Sequence, residues 1–329
     1  MAIETIGIVG VGTWGTALAQ TAARAGRRVV VWARNPAVVE TINHKHANPG
    51  YLPEIPLDPA IRATTSLEEV AAADAVLLTV PAQTVRAVCR ALPETRTLVI
   101  CAKGFETSTG ARLSDVVADE CPASEQAVLS GPNFAREVAQ GLPAATTLGC
   151  TDPALGRALA QALSSASFRA YWTKDVAGVE VGGAVKNVLA IAAGIVAGKG
   201  LGENARAALI TRGLAELARL GEALGGRRET LMGLSGLGDL VLTASSLTSR
   251  NMAFGHAIGR GADPQTLRRR PGPLVEGVFS AAAVVHLAAA HGVEMPISAA
   301  VDAVLEGRLD IEGALDGLMR RPIKMEAPA

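Results

Sequence analysis

The sequence predicts an α/β chain, with an N-terminal doubly wound, mostly parallel sheet followed by a C-terminal all-α domain. Three observations carry that expectation. Short runs that are apolar on both faces recur through the first half with helical patterns between them, as in a parallel sheet covered by helices. A glycine-rich turn, G-x-G-x-x-G, joins the first of these runs to the first helical pattern. From about Gly178 onward the strand pattern stops, and long alanine- and leucine-rich helical patterns replace it. The 329 residues suit two domains, expected at 1–178 and 179–329.

The first strand, Thr5-Ile6-Gly7-Ile8-Val9, runs into Gly10, Gly12 and Gly15. Gly10 permits the tight turn, Gly12 leaves room for a pyrophosphate to approach the backbone, and Gly15 lets the helix pack closely on the strand. The helix N-terminus offers unpaired N–H groups to the phosphates. This is a Rossmann-type dinucleotide fingerprint in its required context. A second strand, 28–33, ends at Arg34-Asn35. An NAD site ordinarily carries an acid there for the ribose 2′-hydroxyl, whereas Arg34 can pair with a 2′-phosphate, so NADP is favoured over NAD. A solvated strand-end charge is the plainer alternative for Arg34.

A polar, proline-rich excursion follows over 43–59, with His44 and His46 read as a surface-loop pair and not as metal ligands. Ser66-Leu67-Glu68-Glu69 reads as a capping box. Further strands are expected at 74–80, 97–102, 127–130, 145–149 and 168–172, and the main helices of the second half at 179–197, 204–224, 280–291 and 297–306. The last residues, 325–329, are expected to fray.

Charge is balanced at 31 basic and 31 acidic residues, so no general field recruits nucleic acid or an anionic membrane. The longest apolar stretch, 188–197, falls short of the ~20 residues a bilayer span needs, and no leader pattern opens the chain, so a cytoplasmic protein is expected. Cys89, Cys101, Cys121 and Cys150 are scattered without a C-x-x-C pair, which argues for reduced thiols and against zinc or a disulfide framework.

In an open α/β sheet, ligands bind beyond the carboxyl ends of the strands. One such end, Cys101-Ala102-Lys103-Gly104-Phe105-Glu106, places the Lys103 ammonium at the crevice. Another, Ser130-Gly131-Pro132-Asn133, opens a helix that Asn133 can cap. In the helical half, Lys186-Asn187 interrupts an apolar helix whose Gly182 and Gly183 allow something to approach closely. Burial there lowers a lysine pKa toward the range a general acid/base needs, unless the head snorkels to water. Asp239 follows a flexible glycine turn and orients a lysine, bonds a substrate hydroxyl, or caps a helix. The run from Thr243 to Asn251, ending in Ser249-Arg250-Asn251, clusters hydroxyls, a guanidinium and an amide in a loop-to-helix setting, which suits a phosphate monoester. Pro273-Leu274-Val275-Glu276-Gly277 puts one carboxylate in an apolar turn. The run 194–200 imitates a P-loop but has the wrong spacing and no Ser or Thr after its lysine.

Taken in order, these segments resemble the bacterial NAD(P)-dependent glycerol-3-phosphate dehydrogenase family, and the resemblance covers nearly the whole chain. It rests on Gly10-Val11-Gly12-Thr13-Trp14-Gly15, Lys103-Gly104-Phe105-Glu106, Gly131-Pro132-Asn133-Phe134-Ala135, Gly182-Gly183-Ala184-Val185-Lys186-Asn187, Gly236-Leu237-Gly238-Asp239-Leu240, Ser249-Arg250-Asn251 and Val275-Glu276-Gly277-Val278. The resemblance implies dihydroxyacetone phosphate and sn-glycerol 3-phosphate as the reacting pair, NAD or NADP as cofactor, a role in glycerophospholipid synthesis, and a homodimer. It implies that Thr13, Trp14, Arg34, Lys103, Ala135, Arg250 and Glu276 line the cofactor site, with Leu274 at a more variable position. Lys103, Gly131, Asn133, Lys186, Asp239, Ser249, Arg250 and Asn251 would meet substrate, with Lys186 as proton acceptor. Asn133 departs from the small hydroxyl residue usual in the family. Two other readings stay open: a two-domain relative acting on a 3-hydroxy acid, and a cofactor-sensing regulatory protein.

Overall fold

The computed structural model describes residues 2–272, 274–323 and 325. Eight strands form one sheet: β1 (Thr5–Val9), β2 (Arg28–Trp32), β3 (Ile61–Thr64), β4 (Ala75–Leu78), β5 (Thr97–Ile100), β6 (Glu125–Ser130), β7 (Ala144–Gly149) and β8 (Phe168–Thr173). Their order is β3-β2-β1-β4-β5-β6-β7-β8, and every neighbouring pair is parallel except β6 with β7. The chain reverses its direction of travel across the sheet between β1 and β4, which opens a crevice beyond their carboxyl ends. Alternate residues of β4 serve opposite faces: Ala75 and Leu77 join one core cluster, Val76 and Leu78 another. That two-sided burial is why these strands read as continuous apolar runs.

β3 was not among the expected strands. It is a four-residue edge strand carrying the exposed Arg62, too short and too polar on one side for its pattern to stand out. Two smaller expectations also change. His44 belongs to the helix Pro36–Lys45, with His46 as its left-handed C-cap, so the pair is not a loop. Ser66 does accept from the Glu69 N–H at 3.2 Å, but the Glu69 carboxylate turns to Arg62 and Thr64, so only half the capping box forms.

The second half is helical around one central helix, Val176–Lys199. Asp175 caps it, accepting from Gly178 N at 2.8 Å while its other oxygen accepts from Arg227 N at 2.7 Å. This helix is long and apolar enough to cross a membrane by length and composition, yet it is buried within the protein and forms the core of the helical half. Glycines make its closest neighbour possible. A Cβ on Gly194 or Gly198 would overlap backbone of the helix Arg250–Gly259, and a Cβ on Gly255 or Gly259 would overlap the central helix. The P-loop look-alike is thus one side of a helix–helix seam. Of the residues expected to fray, only Met325 falls within the described residues.

Candidate active site

The glycine turn has the shape that a dinucleotide needs. Gly10 adopts φ +103°, a conformation that disfavours other residues, and its N–H donates to the Trp32 carbonyl at 3.2 Å. A Cβ on Gly12 would meet nothing within 4 Å, whereas one on Gly15 would overlap the Gly10 carbonyl oxygen. Gly12 is the N-cap of the helix Thr13–Arg24 and supplies no side-chain cap, so the first N–H groups remain available to an anion. Asn48, which sequence patterning did not single out, braces the turn from the proline-rich excursion. Its Nδ2 donates to Val11 O and to Thr16 Oγ1, both at 2.9 Å. Arg34 stands exposed just past β2, and Trp14 Nε1 is buried without a hydrogen-bond partner.

The lysine centre lies where the central helix packs on the end of β6, beside Lys103 from the loop after β5. Gly183 permits that approach, since a Cβ there would overlap Ser130 Oγ, and Gly182 admits a second segment, since a Cβ there would sit 2.6 Å from Ser235 O. Lys186, buried at 8% exposure, donates to Asp239 Oδ1 at 2.9 Å and to Thr243 Oγ1 at 2.7 Å. Lys103 donates to the other Asp239 oxygen at 2.5 Å and to Gly131 O at 3.1 Å. One buried carboxylate therefore holds two ammonium groups. The segment expected as a flexible glycine turn, Leu234–Gly238, is instead a wide π-helical turn leading into the helix Asp239–Ala244. Asp239 provides no side-chain cap; its carboxylate accepts from both lysines and, at 3.3 Å, from Thr243 Oγ1.

Burial pushes the Lys186 pKa down from 10.5 to about 8; the Asp239 carboxylate opposes this fall, and the Lys103 and Arg250 charges deepen it. Burial acts to raise the Asp239 pKa, but the Lys103 and Lys186 charges outweigh it and hold the carboxyl below its ordinary value. Lys186 does not snorkel; it is a desolvated amine poised near neutral pH.

Ser249 caps the helix Arg250–Gly259, accepting from Met252 N at 3.3 Å, which leaves the first N–H groups of Arg250 and Asn251 for an anion. Arg250 is exposed at this helix start. The Asn251 side chain faces inward: Nδ2 donates to Asn187 Oδ1 at 2.8 Å and Oδ1 accepts from Gly277 N at 2.9 Å. It braces the site, leaving its backbone to meet an anion. Glu276 opens the helix Glu276–Ala290 and reaches the Ala82 N–H beyond β4. Burial pushes its pKa up to about 7 against the pull of Arg250, and its Oε2 is buried without a partner. Leu274 is half-buried just before this helix, while Pro273 lies outside the described residues.

Asn133 does not cap the following helix, Ala135–Gln140, contrary to expectation. Phe134 holds the N-cap position without a side-chain bond, and both Asn133 amide atoms are buried without partners. An orphaned donor and acceptor at a strand end are what a site built for a polar ligand presents. Gly131 contributes through its carbonyl, which holds Lys103, and Ala135 begins the helix beside it. Ser130 and Ser280 also bury unpaired hydroxyls, near Gly183 and Gly104 respectively. The sequence gives these two serines and Asn187 no site role, and Thr243, read there as part of the phosphate cluster, instead accepts from Lys186. Among the described residues, no group of three or more His, Cys, Asp or Glu could hold a metal ion.

Comparison with known proteins identifies the family. Residues 5–169 match the family model for the N-terminus of NAD-dependent glycerol-3-phosphate dehydrogenase, and residues 175–316 match the model for its C-terminus. The chain is 54% identical to a Rhodospirillum rubrum protein named glycerol-3-phosphate dehydrogenase (NAD(P)+), over 98% of this chain and 94% of the relative. It is also 54% identical to the protein of that name from Azorhizobium caulinodans, over 99% of each. The crystal structure of glycerol-3-phosphate dehydrogenase from Coxiella burnetii superimposes with a TM-score of 0.90 at 39% identity, covering 97% of this chain and 99% of that one. The chain belongs to the NAD-dependent glycerol-3-phosphate dehydrogenase family.

Proposed function

We propose that this protein interconverts dihydroxyacetone phosphate and sn-glycerol 3-phosphate with NADPH or NADH, NADPH being favoured by Arg34. The observation that carries the reading is the Lys186–Asp239–Lys103 centre, a buried amine with a pKa of about 8 beside a cationic helix start. When bound, the cofactor supplies or accepts the hydride at the substrate carbinol carbon. Gly10, Gly12 and Gly15 receive its pyrophosphate at the start of the helix Thr13–Arg24, flanked by Thr13 and Trp14. Ala135, Leu274 and Glu276 would help to hold the cofactor, and Lys103 and Arg250 would serve both ligands.

In the reductive direction, Lys186 gives its proton to the developing alkoxide oxygen and is left as a neutral amine. In the oxidative direction, neutral Lys186 takes the hydroxyl proton. A pKa near 8 makes both states accessible at neutral pH. Asp239 holds Lys186 in place, and Lys103 sets positive charge near the reacting oxygen. Arg250, with the N–H groups that Ser249 and Asn251 help to present, grips the phosphate. Asn133 and the Gly131 turn meet the substrate's polar end.

In this reading residues 1–178 hold the cofactor and 179–329 supply the acid–base and phosphate groups, as a cytoplasmic homodimer feeding glycerophospholipid synthesis. The test follows NADPH and NADH absorbance with dihydroxyacetone phosphate, with simple keto acids as controls. Oxidation with the phosphorylated ketone alone is expected; equal turnover of a keto acid, or none with any phosphorylated ketone, overturns the proposal.

A further inference from the structure

Lys103 is only partly buried and sits at the mouth of a loop, yet its ammonium is held against Asp239 in a defined position. The loop after β5 explains how. Gly104 turns it with φ +148°, and Glu106 N donates to Ala111 O at 2.9 Å while Gly110 N donates to Glu106 O at 2.8 Å. Phe105 is fully buried in the core cluster of the helical half. The next residue, Glu106, faces the opposite way, toward the sheet half. Arg86, on the helix Val85–Ala91, grips it with a two-pronged pair: Nε to Oε1 at 2.8 Å and Nη2 to Oε2 at 2.9 Å. Thr109 Oγ1 adds a third donor at 2.6 Å, and Arg86 Nη1 is itself held by Glu120 at 2.6 Å. From the turn preceding that helix, Gln83 donates to Phe105 O at 2.8 Å and accepts from Thr107 N at 2.9 Å.

We infer that Arg86, seconded by Gln83, is a positioning residue for the reaction: through Glu106 it fixes the loop that presents the Lys103 ammonium to Asp239. Glu106 is buried, and a buried carboxylate without full pairing is costly, so the loop has one favoured seat and the pair defines it. A guanidinium fork specifies direction as well as distance, which a lysine at this position cannot do. Neither Arg86 nor Glu106 touches Lys186 or the substrate cradle; their influence passes through Lys103. The groups facing Lys186 are Asp239, Thr243, Lys103 and, further off, Arg250, which in turn faces Glu276. If Lys103 withdraws, Lys186 loses a like charge and gains more of the Asp239 carboxylate. Both changes move its pKa upward.

The inference rests on the reading of Lys186 as the acid–base group, and its test needs no turnover. Competitive acetic anhydride labelling across pH, read lysine by lysine by mass spectrometry, would be run on the whole protein and on Arg86→Ala, Arg86→Lys and Glu106→Gln. Circular dichroism would confirm that each is folded, and the two milder variants serve if Arg86→Ala does not fold. Lys103 should label at least about threefold faster in Arg86→Ala and Glu106→Gln, with Lys186 titrating above its wild-type value by roughly half a pH unit or more. Arg86→Lys should fall between, since it keeps the charge but loses the fork. Wild-type labelling of both lysines in a folded variant overturns the inference. So does equal acceleration of every lysine, remote Lys45 and Lys199 included, which marks a general loosening. Failure of the wild-type protein to turn over dihydroxyacetone phosphate would overturn the functional reading while leaving the labelling result to decide the positioning role.

Discussion

Replacing Lys186 by Met should separate what this lysine does for turnover from what it costs the fold. The fall of its pKa from 10.5 to about 8 corresponds to about 3 kcal/mol spent keeping the ammonium charged inside the protein. The folded-state pKa lies below the unfolded one, so between pH 8 and 10.5 the unfolded chain binds more protons. Wild-type stability therefore rises with pH through that window and has lost this contribution once the pH falls below about 8. Met removes the titration and fills much the same volume. The attraction of Asp239 is already contained in the value of about 8, so its loss adds no separate cost, and Asp239 keeps Lys103 at 2.5 Å. At pH 7 the variant should therefore be at least as stable as wild type. By pH 10.5 wild type should have gained about 3 kcal/mol on it. Turnover of dihydroxyacetone phosphate should drop about 10²- to 10⁴-fold with NADPH binding retained. Urea unfolding at several pH values and steady-state rates check both halves. A stability difference that does not move with pH, or turnover within tenfold of wild type, would refute the reasoning.

In the wild-type protein, reduction should slow as the pH rises through about 8 because Lys186 must start protonated, and oxidation should quicken over the same range; initial rates in both directions measure this. Gly12→Ala meets open space and should melt like wild type while weakening NADPH binding by roughly tenfold or more, because the pyrophosphate needs that space. Gly15→Ala, which collides with the Gly10 carbonyl, should lose both stability and binding, as melting curves and fluorescence titration would reveal. Arg34→Asp should raise the KM for NADPH by roughly tenfold to a hundredfold while leaving that for NADH nearly unchanged. Arg250→Gln should raise the KM for the phosphorylated substrate roughly thirtyfold, the equivalent of about 2 kcal/mol. The same change should move the pKa values of Lys186 and Glu276 upward, since Arg250 holds both down; the pH dependence of turnover and of cofactor binding reports these.

Local patterning was enough for the glycine turn, the apolar parallel strands and the apolar helix bearing Lys186, because each is dictated by backbone sterics or by burial on a fixed period. The ordered motifs also pointed to Lys103, Lys186 and Asp239, which the structure brings into contact. What local patterning could not supply was their partners. Asp239 lies 53 residues from Lys186 and 136 from Lys103, and its division between two lysines exists only once the central helix packs against the end of β6 beside the loop that carries Lys103. The same holds for Asn48 under the glycine turn, for Asn251 turned inward onto Asn187, and for the freed Asn133 amide that sequence alone assigned to a cap. The short edge strand β3 is not legible in the sequence because four residues with one exposed arginine carry too little periodicity.

The amino-acid order by itself therefore determined most strands of the sheet, the helical second half and the glycine turn between the first strand and helix. Only the tertiary structure decided which atoms meet and which are left unpaired. Hydrogen-bond partners and pKa values depend on distance and burial, quantities that arise only when segments remote in the chain are packed together.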